Sequence, residues 1–396
     1  MKRLLSIVST ACIALSLTAC GESKTEYPDY VSGNDNQDYF PPIMETDYGY
    51  YSSYRGLIYN DKETGKCVYL CSKPECPHDG SDYCAATGGR WRDECFALSG
   101  EYIYFNAVDI IFTNELDETN YKLFKASLNG SELTEICTYN KFAGQPGEFL
   151  MDNTDFNNGR QLVVHRGKAV VPFKSGKTAE PDYNTVIVDI ETGTHELLAT
   201  PEYDLSDSLC GQCGYYPSGE FLYYTIIPRY KENTTYLYRY EFSTKQTEQV
   251  EIDLSFSSYA VNDGKIYYTV PLNGDTAANI SVYDTDSGET EVLAELDEFC
   301  SPKLMFDGTY LFITENSDGM IADLDGNTLA EFTLPEEFPD YWDTALNSTF
   351  GKLYFRIADR IYCCAIADII AGSAEWYEPY NFEEFEPVAY NFDHLF

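Results

Sequence analysis

The sequence predicts an all-β fold, a β-propeller of seven blades with six or eight as alternatives, preceded by a signal peptide and a flexible tether. A turn glycine followed by an alternating aromatic strand recurs seven times, at Gly49, Gly100, Gly167, Gly219, Gly264, Gly308 and Gly351. The intervals are 51, 67, 52, 45, 44 and 43 residues, the period at which four short strands make one propeller blade. Beyond residues 365–371 no window carries an apolar stripe of helical period.

The N-terminus comes first in the chain. Lys2 and Arg3 precede an apolar run over residues 4–17 that has signal-peptide length and is too short to span a bilayer. It ends in Leu17-Thr18-Ala19-Cys20, small residues before a cysteine. That arrangement predicts a lipoprotein whose Cys20 thiol carries a diacylglycerol after cleavage, and so a protein lipid-anchored to the bacterial envelope, outside the cytoplasm. Residues 1–19 are then the signal peptide. Residues 20–45, rich in Asp, Asn, Ser and Pro, read as a flexible linker, and residues 46–396 as the propeller.

Within the propeller, each glycine anchor except the first is followed by a second strand signal folded about a turn. Asn129-Gly130, Thr192-Gly193, Ser287-Gly288 and Asp325-Gly326 mark four of these hairpins, and Gly65 marks one in the first unit. Such residues supply the positive φ that tight hairpins need. The first unit is short, so the ring is expected to close by pairing an N-terminal strand with the last blade. The long second interval predicts a surface loop at residues 141–158.

The 65 acidic and 26 basic residues give a net charge of −39. A nucleic-acid partner is excluded, because phosphate backbones require a basic footprint.

Thirteen cysteines are present. In an exported protein the default is disulfide bonding. Five of them fall within the Cys/His-rich segment 67–95, where Cys71, Cys76, His78 and Cys84 offer three thiolates and an imidazole. That is the donor set of a closed structural zinc site, although the spacing is not that of the common finger. Disulfides and zinc both stand as readings of these residues. The run Cys67-Val-Tyr-Leu-Cys71-Ser-Lys-Pro-Glu-Cys76-Pro-His78-Asp79, with Cys84, the lipobox and the Tyr-rich repeats, resembles propeller lipoproteins of anaerobic gut Firmicutes. The resemblance implies an extracytoplasmic lipoprotein and carries no catalytic residues to this chain.

The sequence holds no nucleophile elbow, zinc-protease or nucleotide-binding motif. Asp284-Thr-Asp286-Ser-Gly288 lacks the distal Glu of a calcium loop and reads as a turn. His165 reads as a hydrogen-bonded core or edge residue, and His195 as solvated. Aromatics in loops, Tyr215, Tyr216, Tyr341, Trp342, Trp376 and Tyr377, are candidates for a platform that stacks on sugar or peptide. The expected function is a non-enzymatic binding module for a glycan, peptide or protein partner, attached to the membrane through its lipid. The alternatives are a carbohydrate hydrolase or lyase using Asp or Glu, and an envelope assembly scaffold.

Overall fold

The computed structural model describes residues 27–30, 44–52, 57–71, 76, 96–112, 117–144, 162–177, 180–198, 211–227, 235–252, 258–272, 277–296, 299, 303–315, 318–334, 345–349, 351–357 and 360–379. They form seven antiparallel sheets, each a meander of consecutive strands. Blade 1 holds β1 (Met44–Glu45), β2 (Gly49–Ser52), β3 (Ile58–Asp61) and β4 (Cys67–Tyr69). Blade 2 holds β5 (Phe96–Ser99), β6 (Tyr102–Phe112), β7 (Asp117–Ser127) and β8 (Leu133–Gly144). Blade 3 follows with β9 (Val163–His165), β10 (Lys168–Lys177), β11 (Glu180–Asp189) and β12 (His195–Leu197). Blade 4 is β13 (Gly211–Ser218), β14 (Phe221–Ile227), β15 (Tyr236–Glu241) and β16 (Gln246–Val250). Blade 5 is β17 (Tyr259–Asn262), β18 (Lys265–Pro271), β19 (Ala278–Asp284) and β20 (Thr290–Leu296). Blade 6 is β21 (Lys303–Phe306), β22 (Leu311–Glu315), β23 (Asp318–Ala322) and β24 (Thr328–Thr333). Blade 7 has three strands, β25 (Ala345–Thr349), β26 (Lys352–Ile357) and β27 (Arg360–Ala365), followed by the short helix α1 (Ile366–Ile370).

The core explains the apolar runs in the sequence. Successive residues of a strand face opposite sides of its sheet, and in a ring both sides of every blade meet a neighbour. Thus Ala169, Val171 and Phe173 of β10 pack toward blade 2, while Val170 packs toward blade 4. Clusters of this kind join blades 1 and 2 around Phe96 and Phe105, and blades 2 and 3 around Leu123 and Val171. They continue through Tyr215 and Tyr224, through Leu237 and Tyr268, through Ile280 and Ile313, and through Phe312 and Phe355. A small seventh cluster, Tyr50, Tyr354, Ile361 and Cys363, joins blade 7 to blade 1. First strands touch first strands of the next blade, β5 with β9, β9 with β13 and so on to β25, so these line the axis.

Closure of the ring differs from the expected strand exchange. β1 and β2 pair within blade 1, which is complete with four short strands, and it is blade 7 whose outer edge is reduced among the described residues. There a single bridge, Cys363 with Tyr377, occupies the fourth-strand position. The polar contact between Glu45 of β1 and Lys352 and Tyr354 of β26 completes the junction. The expected loop at 141–158 is also shorter at its start, because β8 continues through Gly144.

Turn chemistry repeats from blade to blade. Asp61, Asp189 and Asp284 end third strands and accept backbone N–H bonds from Thr64 (2.7 Å), Thr192 (2.8 Å) and Ser287 (2.9 Å). The following glycines, Gly65, Gly193 and Gly288, donate back to the carbonyl of the same Asp. Asp284 is therefore engaged in a hairpin turn, as its sequence suggests.

Candidate functional site

Because β10 and β11 are antiparallel with Lys168 opposite Asp189, both residues stand at the ring face that carries the first-to-second-strand and third-to-fourth-strand turns. The end of β15 and its turn bring Tyr240, Phe242 and Lys245 of blade 4 to the same face. Between them lies a cleft of about 110 Å³, lined also by Ile187, Thr194, His195 and Glu196.

Its floor is apolar and its rim is charged. Phe242 stacks on His165 with centroids 5.8 Å apart and meets the Tyr240 ring edge-on at 5.7 Å. Lys168 Nζ donates to Asp189 at 2.6 Å. Lys245 Nζ and the Tyr240 hydroxyl donate to the two oxygens of Glu196 at 2.6 and 2.7 Å. Burial alone would raise the Asp189 carboxyl, but hydrogen bonds from Lys168 and from the Thr192 amide and hydroxyl bring its pKa down to about 2. Glu196 follows the same pattern, with Lys245 and Tyr240 outweighing its burial to lower its pKa. Burial and the bond to Glu196 push the Tyr240 hydroxyl upward, so it stays protonated and donates. The cleft therefore presents two ionised carboxylates and two ammonium groups, each already neutralised by a partner.

The residues singled out in the sequence fall elsewhere. Tyr215 is fully buried between blades 3 and 4, its hydroxyl 2.5 Å from that of Thr185. Tyr216 faces the other way and packs edge-on against Tyr259 of blade 5 at 5.0 Å. Trp376 covers Phe355 (5.3 Å) and Phe332 (6.1 Å) over the junction of blades 6 and 7. Tyr377 is 44% exposed at the edge of blade 7. The described members of the aromatic set thus sit on blades 4 and 7 and form no common platform. Tyr341 and Trp342 lie outside the described residues, as do Cys20, His78 and Cys84.

Cys71 and Cys76 are half-buried, and no group of three metal-binding side chains occurs among the described residues. No disulfide joins any described cysteines; Cys67, Cys137, Cys363 and Cys364 are thiols, the last two buried. No helix among the described residues is long and apolar enough to cross a membrane.

His165 is buried as expected, and His195 is exposed on the rim of the cleft. The cleft itself was missed in the sequence because its lining comes from five separate stretches on two blades. The Asp-x-x-Thr-Gly turn that carries Asp189 is a local signal pointing there, and it recurs at Asp61 of blade 1.

No family model and no curated protein matches the chain. Solved structures with a similar fold include an oligogalacturonate lyase in complex with manganese, at 11% identity and a TM-score of 0.39, covering 72% of this chain and 81% of that one. The β-propeller domain of the Trilobed protease from Pyrococcus furiosus is similar at 13% identity and a TM-score of 0.40, covering 67% and 79%. An acylaminoacyl peptidase from Pyrococcus horikoshii is similar at 11% identity and a TM-score of 0.41, covering 67% of this chain. This chain spans 43% of that peptidase's length. These likenesses concern the fold alone.

Proposed function

We propose that this chain is a lipid-anchored, extracytoplasmic propeller that works as a binding module, its cleft between blades 3 and 4 taking one residue of a neutral glycan. The observation that carries the reading is the pairing of Lys168 with Asp189 and of Lys245 with Glu196 around a cleft that Phe242 also lines. Adjacent donors and acceptors match the vicinal hydroxyls of a sugar, and the aromatic ring matches its apolar C–H face. A volume of about 110 Å³ is below the ~300 Å³ at which pockets begin to enclose a whole small ligand, which suits one residue of a longer chain. The net charge of −39 repels acidic polysaccharides.

Both carboxylates are held in the ionised form, so each accepts hydrogen bonds and neither is kept as the protonated acid that glycoside cleavage requires. This favours binding over hydrolysis at the cleft.

The test is a glycan array followed by calorimetry on the hits. Replacing Phe242 by Ala, or Lys245 by Ala, is expected to weaken binding by about tenfold each, equivalent to ~1.4 kcal/mol. An unchanged affinity in both variants would place the ligand elsewhere. Turnover of a bound glycan, lost in Glu196→Gln, would replace this reading with the hydrolase. Acylation is tested separately by the mass of the mature protein and its loss in Cys20→Ser.

A further inference from the structure

Residues 27–30 lie within the stretch read from sequence as a tether, yet they are docked on blades 3 and 4. The Tyr27 ring lies against Gly167, where a Cβ would come within 2.8 Å of it. The Pro28 carbonyl accepts the Arg166 N–H at 2.9 Å. Asp29 pairs with the Arg166 guanidinium, which also reaches Glu220 of blade 4 at 2.5 Å. Finally, the Tyr30 N–H donates to His165 Nδ1 at 2.9 Å. That contact fixes the tautomer: Nε2 carries the proton and donates to the Gly219 carbonyl at 2.7 Å. One turn, His165-Arg166-Gly167, thus holds the N-terminal segment and joins it to blade 4.

We propose that Tyr27–Tyr30 is a strap that shortens the leash to the lipid anchor and turns this face of the propeller, with its cleft, toward the membrane. The orientation rests on the reading of Cys20 as the acylated residue. Seven residues separate Cys20 from Tyr27, a reach of at most about 25 Å at 3.3–3.6 Å each. Without the strap the leash would run to Met44 in β1, 24 residues away, with a reach of about 80 Å. The cleft opens on the strap's own face, so it addresses ligands lying between the ring and the bilayer.

His165 makes the strap pH-sensitive. The groups facing it are Asp29 of the strap, Arg166 of its own turn and Glu220 of blade 4, with the Phe242 ring stacked alongside. Burial lowers its pKa below the ordinary histidine value, outweighing the Gly219 bond and the two acids. A depressed value means that the contribution to docking is complete above the ordinary histidine range and is lost as pH falls through the lowered value. The added proton would sit on Nδ1, facing the Tyr30 N–H.

Neutron reflectometry of the full-length acylated protein in a supported phosphatidylcholine bilayer tests this, combined with hydrogen exchange at the Tyr30 amide. The wild type is compared with Tyr27→Ser/Asp29→Ala, which leaves the ring untouched, and with itself in a descending pH series that runs well below the ordinary histidine range. Coil spans of ~15 Å for a leash of seven residues and ~27 Å for one of 24 predict a gap between ring and headgroups that widens by about 10 Å in the variant and in acid. Protection of Tyr30 in the wild type should be lost in both. Equal gaps with the protein held in the bilayer, or an unprotected Tyr30, would overturn the strap while leaving the anchor intact. A wild type that the bilayer does not retain would overturn the Cys20 reading and the orientation with it.

Discussion

Replacing Glu45 by Ala should lower the melting temperature by about 4 °C, through opening of the seam between blades 7 and 1. Glu45 is 3% exposed, and its carboxylate accepts hydrogen bonds from Lys62 Nζ at 2.5 Å, Lys352 Nζ at 2.9 Å and the Tyr354 hydroxyl. The two lysines share the same oxygen, so its removal leaves two ammonium groups facing each other. Breaking a buried pair by removing one partner costs about 3–5 kcal/mol, and the lower end applies because the lysines are about a quarter exposed. Over residues 46–396, the propeller read from the sequence, ~2.1 cal/mol/K per residue makes ~3 kcal/mol correspond to ~4 °C. The seam is the place where this matters. Among the described residues its apolar cluster numbers four, whereas the others run to seven or more, and no strand is shared across it.

The same carboxylate gives the seam an acid limit. Burial would raise the Glu45 pKa, but the bonds from Lys62, Tyr354 and Lys352 lower it overall. A lowered value contributes stability that is complete above the ordinary glutamate range and is lost as pH falls through the lowered value. Thermal melts of wild type and Glu45→Leu should therefore converge in acid and separate toward neutrality. Parallel curves would show that the charge does not hold the seam. The triple change Glu45→Leu/Lys62→Leu/Lys352→Leu should recover most of the loss, since apolar replacement of all partners leaves no unpaired charge.

The fold was legible because a propeller repeats its instructions. Gly167-Lys-Ala-Val-Val-Pro-Phe and Gly219-Glu-Phe-Leu-Tyr-Tyr each announce a turn and a strand buried on both faces, and seven such announcements at a blade-length period leave few alternatives. Closure was not legible. It depends on Glu45 meeting Lys352 and Tyr354 across 307 and 309 residues of sequence, and nothing local marks those three as partners. The cleft was hidden for the same reason, as Lys245 and Glu196 are 49 residues apart. The rings of Tyr215 and Tyr216, adjacent in sequence, are not adjacent in space. In a blade, neighbours such as Tyr215 and Tyr216 face opposite interfaces and never share a surface.

Replacing Gly193 by Val should cost about 3 kcal/mol, about twice the effect of the same change at Gly65. Both glycines close third-to-fourth-strand turns with nearly equal backbone angles, φ +69° and +66°. A side chain at either position incurs the left-handed penalty of roughly 1–2 kcal/mol. They differ in what lies outside. A Cβ at Gly193 would stand 2.6 Å from the Ile136 carbonyl of β8, whereas at Gly65 nothing lies within 4 Å. The turn of blade 3 thus wedges against the outer strand of blade 2, and forcing extra atoms into such a packed joint adds about 1–3 kcal/mol. Among the described residues no atom fills the equivalent space beside Gly65. Thermal melts of Gly193→Val and Gly65→Val measured together isolate the wedge, because the backbone strain is common to both; equal losses would refute it. The Gly193 change should carry a second consequence that the Gly65 change lacks. Asp189, Thr194 and His195 border the cleft from the same turn, so displacing it should weaken glycan binding as well as the joint between blades 2 and 3.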